Sequence, residues 1–327
     1  MDDGTRIEAA GNSLVQPLSA GILASLVGFA SSVPVLVAGL TAAGASPAEA
    51  ASGLFAICLA VAVLGIGLSV RSRMPVTIAW STPGAALLVS TGPPTGGYPA
   101  TVAAFLAAAA LIVVAGLWKP FGRAVAAIPM SLANAMLAGI LLELCLAPLK
   151  AVEAMPLLAL PIILVWAVAM RFLRRFAVPI SVVVTAIIVV SATTIPPAAL
   201  AASLPKPILV LPAFDLNAII GIGLPLFLVT MASQNVTGLA VLNANGYRPA
   251  VGPIFTLTGL ASIVTGLFGG HTVNLAAITA ALCAGPEAGA DPARRWIASV
   301  ACSVTYLLLG FGAAFAAAFI AASPPLL

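Results

Sequence analysis

Long apolar stretches, separated by short interruptions of proline, glycine and charge, run through almost the whole chain. An apolar helix of roughly 20 residues is long enough to cross a hydrocarbon core of about 30 Å. The pattern predicts eleven crossings, at approximately 17–40, 47–69, 74–91, 99–118, 124–146, 154–171, 177–195, 216–241, 250–267, 269–284 and 296–321. We therefore expect an all-α polytopic membrane protein, with a cytoplasmic tail at 1–16 and a single transmembrane domain at 17–327.

The first run, 17–40, is better explained as a membrane helix than as a cleaved signal. The residues before it include Asp2, Asp3 and Glu8, whereas a secretory signal begins with basic residues and has a shorter apolar core. Small residues at 43–45 imitate a cleavage site, so a cleaved signal stays the lesser alternative.

The crossing at 74–91 does not have the pattern of a continuous helix. Pro75 and Pro83 bracket the alternating, β-prone stretch VTIAW at 76–80. We expect a short extended piece here, followed by a half-helix with Ser81 or Thr82 as its N-cap and Pro83 in its first turn.

The crossing at 269–284 is irregular in a similar way. It opens with Gly269 and Gly270, continues as HTVNLA, and predicts a polar cap at Thr272 or Asn274 before a short helix. Extended backbone at membrane depth must be covered by protein or line a cavity. The two extended pieces run in opposite directions under the predicted topology, and they could pair with each other.

The order of segments predicts an inverted repeat. ASSVPVLVAG at 30–39 and ASQNVTGLAV at 232–241 are each followed by one ordinary helix and then by a broken one. The order helix, helix, broken helix, helix thus recurs after seven crossings, an odd number that inverts the second copy. Broken segments at matching places in two halves are the best sequence pointer to a transporter site.

Lysine and arginine are distributed unevenly between the two sides of the predicted topology. With a cytoplasmic N-terminus, the outer side holds only Lys150 and Lys206, and the other eleven of the thirteen basic residues lie inside. Basic residues accumulate on cytoplasmic loops, so this orientation is the expected one. Topology therefore explains the net charge of +4, and no nucleic-acid partner is needed.

Composition excludes a soluble domain and most enzyme chemistry. The chain is 62% hydrophobic and 7% charged, against about 25% charged residues in a typical globular domain. The motifs of hydrolases, metalloproteases and phosphate-binding loops are lacking, so we expect neither an enzyme nor a cofactor or metal site. The cysteines lie singly in apolar segments and are expected to be packing residues: Cys58, Cys145, Cys283 and Cys302.

Polar and aromatic residues collect at the broken crossings and on the crossing at 216–241. They are Thr77, Trp80, Ser81, Thr82, Ser233, Gln234, Asn235, His271, Thr272 and Asn274. Two half-helix N-termini meeting at the midplane would favour an anion there, and no carboxylate is near either break. Trp80 and Pro75, with small residues at 79, 276 and 277, could form an apolar slot for an aromatic ring.

His271, the sole histidine, is the natural candidate for proton coupling, because its reference pKa of about 6.5 lies in the physiological range. The substrate's own carboxyl group could carry the proton instead. Glu143, toward the end of the crossing at 124–146, is a second candidate, although it could equally be interfacial beside Lys150.

Each candidate also has a structural interpretation. His271 could be a helix cap or a hydrogen-bonded core residue, and Gln234 and Asn235 could join helices through their amides. Trp80 could belong to an interfacial aromatic belt, while the hydroxyls of 77, 81 and 82 could serve only as caps.

Three stretches resemble the benzoate/proton symporter family, BenE, a branch of the nucleobase-cation symporter-like superfamily. They are RMPVTIAWSTPGAALL at 73–88, TMASQNVTGLAVLNANGY at 230–247 and GGHTVNLAAITAALCAGPEAGADPARRW at 269–296. The resemblance implies fourteen segments in two inverted sets of seven, with substrate between segments 3 and 10 beside segment 8. It places core segments at 17–118 and 216–321 and gate segments at 124–195, with the last three gate segments expected to be absent.

The resemblance implies a secondary active symporter that imports benzoate or a similar aromatic carboxylate with protons across the bacterial inner membrane. Nucleobase members carry acidic residues on segments 8 and 10, which this sequence lacks. The alternatives are a transporter or channel for another small anion or a nucleobase-like solute, and a purely structural membrane protein. The expected partners are the substrate, protons and membrane lipid. A homodimer with a second copy of the chain is a further possibility.

Overall fold

The computed structural model describes residues 14–120, 146, 148–173, 177–192 and 204–322, and within them the chain is mostly helical. The helices are α1 Val15–Ala42, α2 Pro47–Ser72, α3 Thr82–Thr91, α4 Gly97–Leu117, α5 Pro156–Phe172, α6 Ala177–Ala192, α7 Leu216–Ala244, α8 Val251–Leu267, α9 Ile278–Ala284, α10 Trp296–Gly310 and α11 Ala313–Ala322. The described residues also form two short strands, β1 Ile78–Trp80 and β2 Val273–Leu275, and two 3-10 turns, Pro286–Ala288 and Pro292–Arg294.

Four helices in the described ranges are long and apolar enough to cross a membrane, namely α1, α2, α4 and α7. The expectation of a helical membrane protein is confirmed at this level. The predicted crossing at 124–146 lies outside the described residues except for position 146, and so do Glu143 and Cys145. The other three cysteines, Cys58, Cys283 and Cys302, are buried as expected.

Local sequence signals explain where several helices begin. Ser46 and Glu49 form a reciprocal capping box at the start of α2, with Pro47 in the first turn. At the start of α7, Asp215 accepts hydrogen bonds from the backbone N–H groups of Asn217 and Ala218. These side chains satisfy helix N–H groups that have no partner within the helix.

The two extended pieces pair with each other, as their opposed directions predict. β1 and β2 are antiparallel, with Ala79 opposite Asn274 at the centre of the register. Gly269, before β2, has a φ of 82°, a left-handed conformation that glycine adopts without steric cost and that accounts for the glycine break.

Helix α7 contains two π-helical turns, Ile219–Gly223 and Met231–Val236. The hydroxyl of Thr237 donates to the carbonyl of Ala232, five residues earlier, at 3.3 Å. The second π-helical turn covers the stretch SQN that the sequence singles out, and such turns often occur at functional sites.

The strand pair is enclosed by helices from both halves of the chain. Helix α8 packs along α4 and against β2, while α10 packs along α1 and α2. Helix α7 packs against α4, and α3 packs against α1. The backbone hydrogen-bonding groups of the strand pair are therefore covered by protein rather than lipid, as extended backbone at this depth requires.

Two sequence expectations need correction. The stretch predicted as one crossing at 296–321 forms two helices, α10 and α11, which are separated at Phe311 and Gly312. The predicted cap of the second half-helix at Thr272 or Asn274 is also wrong. Helix α9 begins later, at Ile278, and its N-cap residue Ala277 makes no side-chain cap hydrogen bond.

Candidate functional site

The strand pair fixes where the two broken segments meet. Its register continues past β1 and β2, since the N–H of Ala276 donates to the carbonyl of Thr77 at 2.9 Å. Because the strands are antiparallel, α3 and α9 leave from opposite ends of the pair. Ser81, between β1 and α3, accepts from the N–H of Gly84 at 3.1 Å and is the predicted N-cap of that helix.

Three buried hydroxyl groups connect both broken segments to α7. The Oγ1 of Thr230 donates to the Oγ of Ser81 at 3.0 Å and lies 3.1 Å from the Oγ1 of Thr272. A hydroxyl has one proton to donate, so Thr272 is the donor in the second bond. All three residues are fully buried, and the cluster ties α7 to the segments on either side of the strand pair.

Asn235 links the π-helical turn of α7 to β2. Its Oδ1 accepts from the backbone N–H of Leu275 at 3.0 Å, and its Nδ2 lies 3.1 Å from the sulfur of Met231. The side-chain amide thus provides an acceptor for a backbone N–H of β2 that does not pair with β1. This contact agrees with the structural interpretation of Asn235 as a link between segments.

Asn274 lies at the centre of β2 and is only partly satisfied. Its Nδ2 donates to the carbonyl of Leu275 at 2.8 Å, whereas its Oδ1 is buried and has no hydrogen-bond partner among the residues that the structure describes. Its neighbour across the strand pair, Ala79, is half-buried, unlike Ile78 and Trp80 beside it. At the centre of the strand pair, the unpaired acceptor of Asn274 therefore lies opposite the partly exposed Ala79.

His271 is fully buried against α4, with its ring 6.3 Å from the ring of Phe105. Its Nδ1 lies 3.1 Å from the carbonyl of Thr272, and its Nε2 has no hydrogen-bond partner in the described ranges. A carbonyl only accepts, so Nδ1 carries the proton in the neutral ring and Nε2 is an acceptor. The hydroxyl of Thr265 on α8 donates a hydrogen bond to the backbone carbonyl of His271 at 3.0 Å.

Trp80 is packed into the interior between α1 and α10. Its indole N–H donates to the Oγ of Ser32 at 2.9 Å, and its ring lies 5.0 Å from Tyr306 and 6.2 Å from Phe29. Aromatic pairs at these separations and edge-on angles are stabilising. Within the described part of the chain, no hydrogen bond or ring contact joins Trp80 to His271 or Gln234, so its role in a ring slot stays a prediction.

The remaining candidates lie at the edges of this cluster. Thr77 is fully buried and shares a hydrogen bond of 2.7 Å with Ser299 on α10. Ser233 donates to the carbonyl of Val229 at 2.6 Å. Ser233, Gln234 and Thr82 are half-buried, so these three are the candidates with exposed surface.

The carboxylates of the described residues lie away from the two broken segments, as the sequence predicts, while the field of the helix ends stays a prediction. Their carboxylates are Glu49, Glu153, Asp215, Glu287 and Asp291, none of which lies on the strands, on α3 or on α9. Helix α9 has only seven residues, and Ser81 already occupies an N–H group of α3. The polar groups that the structure brings together at the broken segments are therefore mainly neutral hydroxyls and amides.

Sequence reasoning missed the connecting role of Thr230 and the central place of Ala79. Thr230 connects the broken segments, yet only its place at the start of the stretch TMASQN drew attention to it. Ala79 was expected to help form a ring slot, but its central position opposite Asn274 follows only from the strand register.

Comparison with known proteins shows the family to which the chain belongs. Residues 12–327 match the family BenE, described as benzoate membrane transport protein. The chain is 39% identical over 298 residues to the inner membrane protein YdcO of Escherichia coli, covering 91% of this chain and 76% of that protein. It is 32% identical over 302 residues to a benzoate membrane transport protein of Acinetobacter baylyi, covering 92% and 76%. The chain therefore belongs to BenE, a family of membrane transport proteins rather than enzymes.

Proposed function

We propose that this protein imports benzoate or a similar aromatic carboxylate, together with protons, across a bacterial inner membrane, with its N-terminus in the cytoplasm. Membership of the family and the name of the Acinetobacter relative support the substrate class. The name of the Escherichia coli relative supports the inner membrane, and the excess of basic residues on one side supports the orientation.

The observation that supports the proposal most is the partly open centre of the strand pair. Neutral polar side chains of β2 and α7 surround it, and no described carboxylate lies on these strands. A fixed negative charge there would repel the substrate whenever its carboxyl group is ionised, by on the order of 4 kcal/mol at 4 Å in an effective dielectric constant of about 20. Hydroxyls and amides can orient a carboxyl group without that penalty.

We also propose that α1 to α4 and α7 to α11 form two units of an inverted repeat. In support, α2 of the first unit packs on α10 of the second, and α8 of the second packs on α4 of the first. The broken segments likewise meet across the two units, strand to strand. Rocking of one part of such a fold around a fixed site is the usual route to alternating access.

Two groups are candidates to carry the coupled proton. One is the imidazole of His271, whose Nε2 is unpaired, and the other is the carboxyl group of the substrate. Glu143 lies outside the described residues and is proposed on sequence grounds alone.

Substrate class is tested by calorimetric titration of the purified chain with benzoate, uracil and sulfate. We expect saturable binding of benzoate and at least tenfold weaker binding of the other two. Tighter binding of uracil or sulfate would assign the fold to a nucleobase-like solute or to a different anion.

Coupling is tested by initial uptake rates of labelled benzoate into proteoliposomes, with and without an inward proton gradient. Protein-free vesicles measure the passive entry of neutral benzoic acid, and their rate is subtracted. The protein-dependent rate is expected to rise with the gradient. A protein-dependent rate that is the same with and without the gradient would contradict proton coupling but not benzoate transport.

A further inference from the structure

The unpaired oxygen of Asn274 is an acceptor, and its orientation is fixed by its neighbour. A backbone carbonyl cannot donate, so the atom of Asn274 that lies 2.8 Å from the oxygen of Leu275 must be the amide nitrogen. Flipping the amide would place two acceptors against each other. The Oδ1 therefore points away from Leu275, is buried, and finds no donor within the described structure.

Among the described residues, no donor forms a hydrogen bond with the Oδ1 of Asn274. The hydroxyl of Thr230 gives its proton to Ser81, and Thr272 gives its own to Thr230. The amide nitrogen of Asn235 is turned to Met231. A buried acceptor without a donor is costly, so a ligand that brings a donor to this position gains more than one that does not.

We propose that Asn274 accepts a hydrogen bond from the O–H of the substrate's own carboxyl group, so that the aromatic acid binds in its neutral form. This inference rests on the proposed function and decides which group carries the proton. One proton then enters with each substrate, on the substrate itself, and both leave together on the other side. A carboxylate anion has only acceptor oxygens and cannot satisfy Asn274.

The position of His271 argues against a direct role for the imidazole in the same contact. It precedes Asn274 by three residues, about 10 Å along an extended chain. Its ring packs against Phe105 of α4.

The charged or titratable groups on the elements that contact β2 are Glu49, Cys58 and Arg71 on α2, with Cys283 on the adjoining α9 and His271 in the preceding turn.

The first test compares benzoate with benzamide, which has the same ring and donates N–H groups without titrating. Binding of each is measured between pH 6 and pH 8. A carboxyl group titrates near pH 4, so its neutral fraction falls about tenfold for each pH unit in this range. The apparent affinity for benzoate is expected to fall tenfold per unit, while the affinity for benzamide stays constant.

Variants then separate the two proton carriers. His271→Gln is expected to keep the tenfold slope for benzoate, and Asn274→Ala is expected to weaken benzoate and benzamide alike by about tenfold, the value of one buried hydrogen bond. Asn243→Ala on the exposed end of α7 is the matched control and should change neither. Loss of the slope in His271→Gln would place the proton on the imidazole and overturn the proposal.

A second measurement needs no variant. Meta-substituted benzoates of different acidity are compared at pH 7 with the corresponding benzamides, whose affinities cancel the steric effect of each substituent. If the neutral acid binds, the benzoate-to-benzamide affinity ratio falls tenfold for each unit of lower ligand pKa. A constant ratio, or benzoate binding that is independent of pH, would show that the anion binds; absence of benzoate binding altogether would reject the proposed function instead.

Discussion

Thr230 donates its hydroxyl proton to Ser81 across 3.0 Å, and this bond joins α7 to the residue that caps the first half-helix. The same oxygen receives the proton of Thr272 from the other broken segment. One side chain therefore holds the two irregular segments in register, in a region where water cannot replace a lost partner.

Thr230→Val tests this connection because valine keeps the shape and removes the hydroxyl. Ser81 loses its donor and Thr272 loses its acceptor, so we expect the free energy of unfolding to fall by about 2 kcal/mol. Thermal unfolding in detergent measures the change. Thr305→Val on α10 is the control, because the Thr305 hydroxyl bonds only the carbonyl of Ala301 in its own helix. Equal effects of the two variants would contradict a connecting role.

Asn235→Ala is expected to loosen β2 from α7. The N–H of Leu275 loses its acceptor in a buried position, at a cost of about 1–3 kcal/mol. Hydrogen exchange at Leu275 should accelerate, and the unfolding temperature should fall. The comparison variant is Asn245→Ala, whose amide bonds Val241 near the end of α7. Unchanged exchange at Leu275 would indicate that the strand does not depend on Asn235.

Gly53→Ala tests the close approach of α2 to the turn before β2. A Cβ at Gly53 would collide with the carbonyl oxygen of Gly269, and backbone cannot give way cheaply. We expect a loss of about 1–3 kcal/mol in unfolding free energy, as for other overpacked sites. Gly67→Ala in the same helix meets nothing within 4 Å and should stabilise it by about 0.5–1 kcal/mol. A tolerated alanine at position 53 would argue against this packing.

Trp80→Phe distinguishes a packing role from a substrate-binding role. The variant loses the bond to Ser32, so we expect about 1 kcal/mol lower stability with benzoate affinity changed less than twofold. Trp166→Phe on α5, where the ring is 45% exposed, controls for general effects of tryptophan removal. A tenfold loss of benzoate affinity in Trp80→Phe alone would instead support the predicted place of the indole in a ring slot.

The pairing of the two broken segments could be predicted from sequence for a physical reason. Irregular backbone at membrane depth needs hydrogen-bond partners, and each piece was the natural partner for the other. The cap of the first half-helix was also predictable, because it depends only on neighbouring residues: Ser81 is the N-cap and Pro83 lies in the first turn.

The second half-helix could not be predicted in the same way. Thr272 resembles a cap in sequence, but its hydroxyl is bound by Thr230, which lies 42 residues earlier in the chain. The state of Asn274 and His271 likewise depends on which side-chain atoms find partners after folding. Sequence supplied the candidate residues, whereas tertiary contacts determine which hydrogen-bonding groups each one leaves unpaired.

The most direct test of the central claim is protection of a cysteine placed at Ala79, the half-buried centre of the strand pair. The Ala79→Cys variant is labelled with a maleimide during titration with benzoate, and the unsubstituted chain measures labelling of the native cysteines. Benzoate is expected to slow labelling of position 79 at least fivefold, with a midpoint equal to its dissociation constant, while Gly67→Cys is labelled at an unchanged rate. Labelling of Ala79→Cys that is unaffected by saturating benzoate would contradict the assignment of the substrate site to the paired strands.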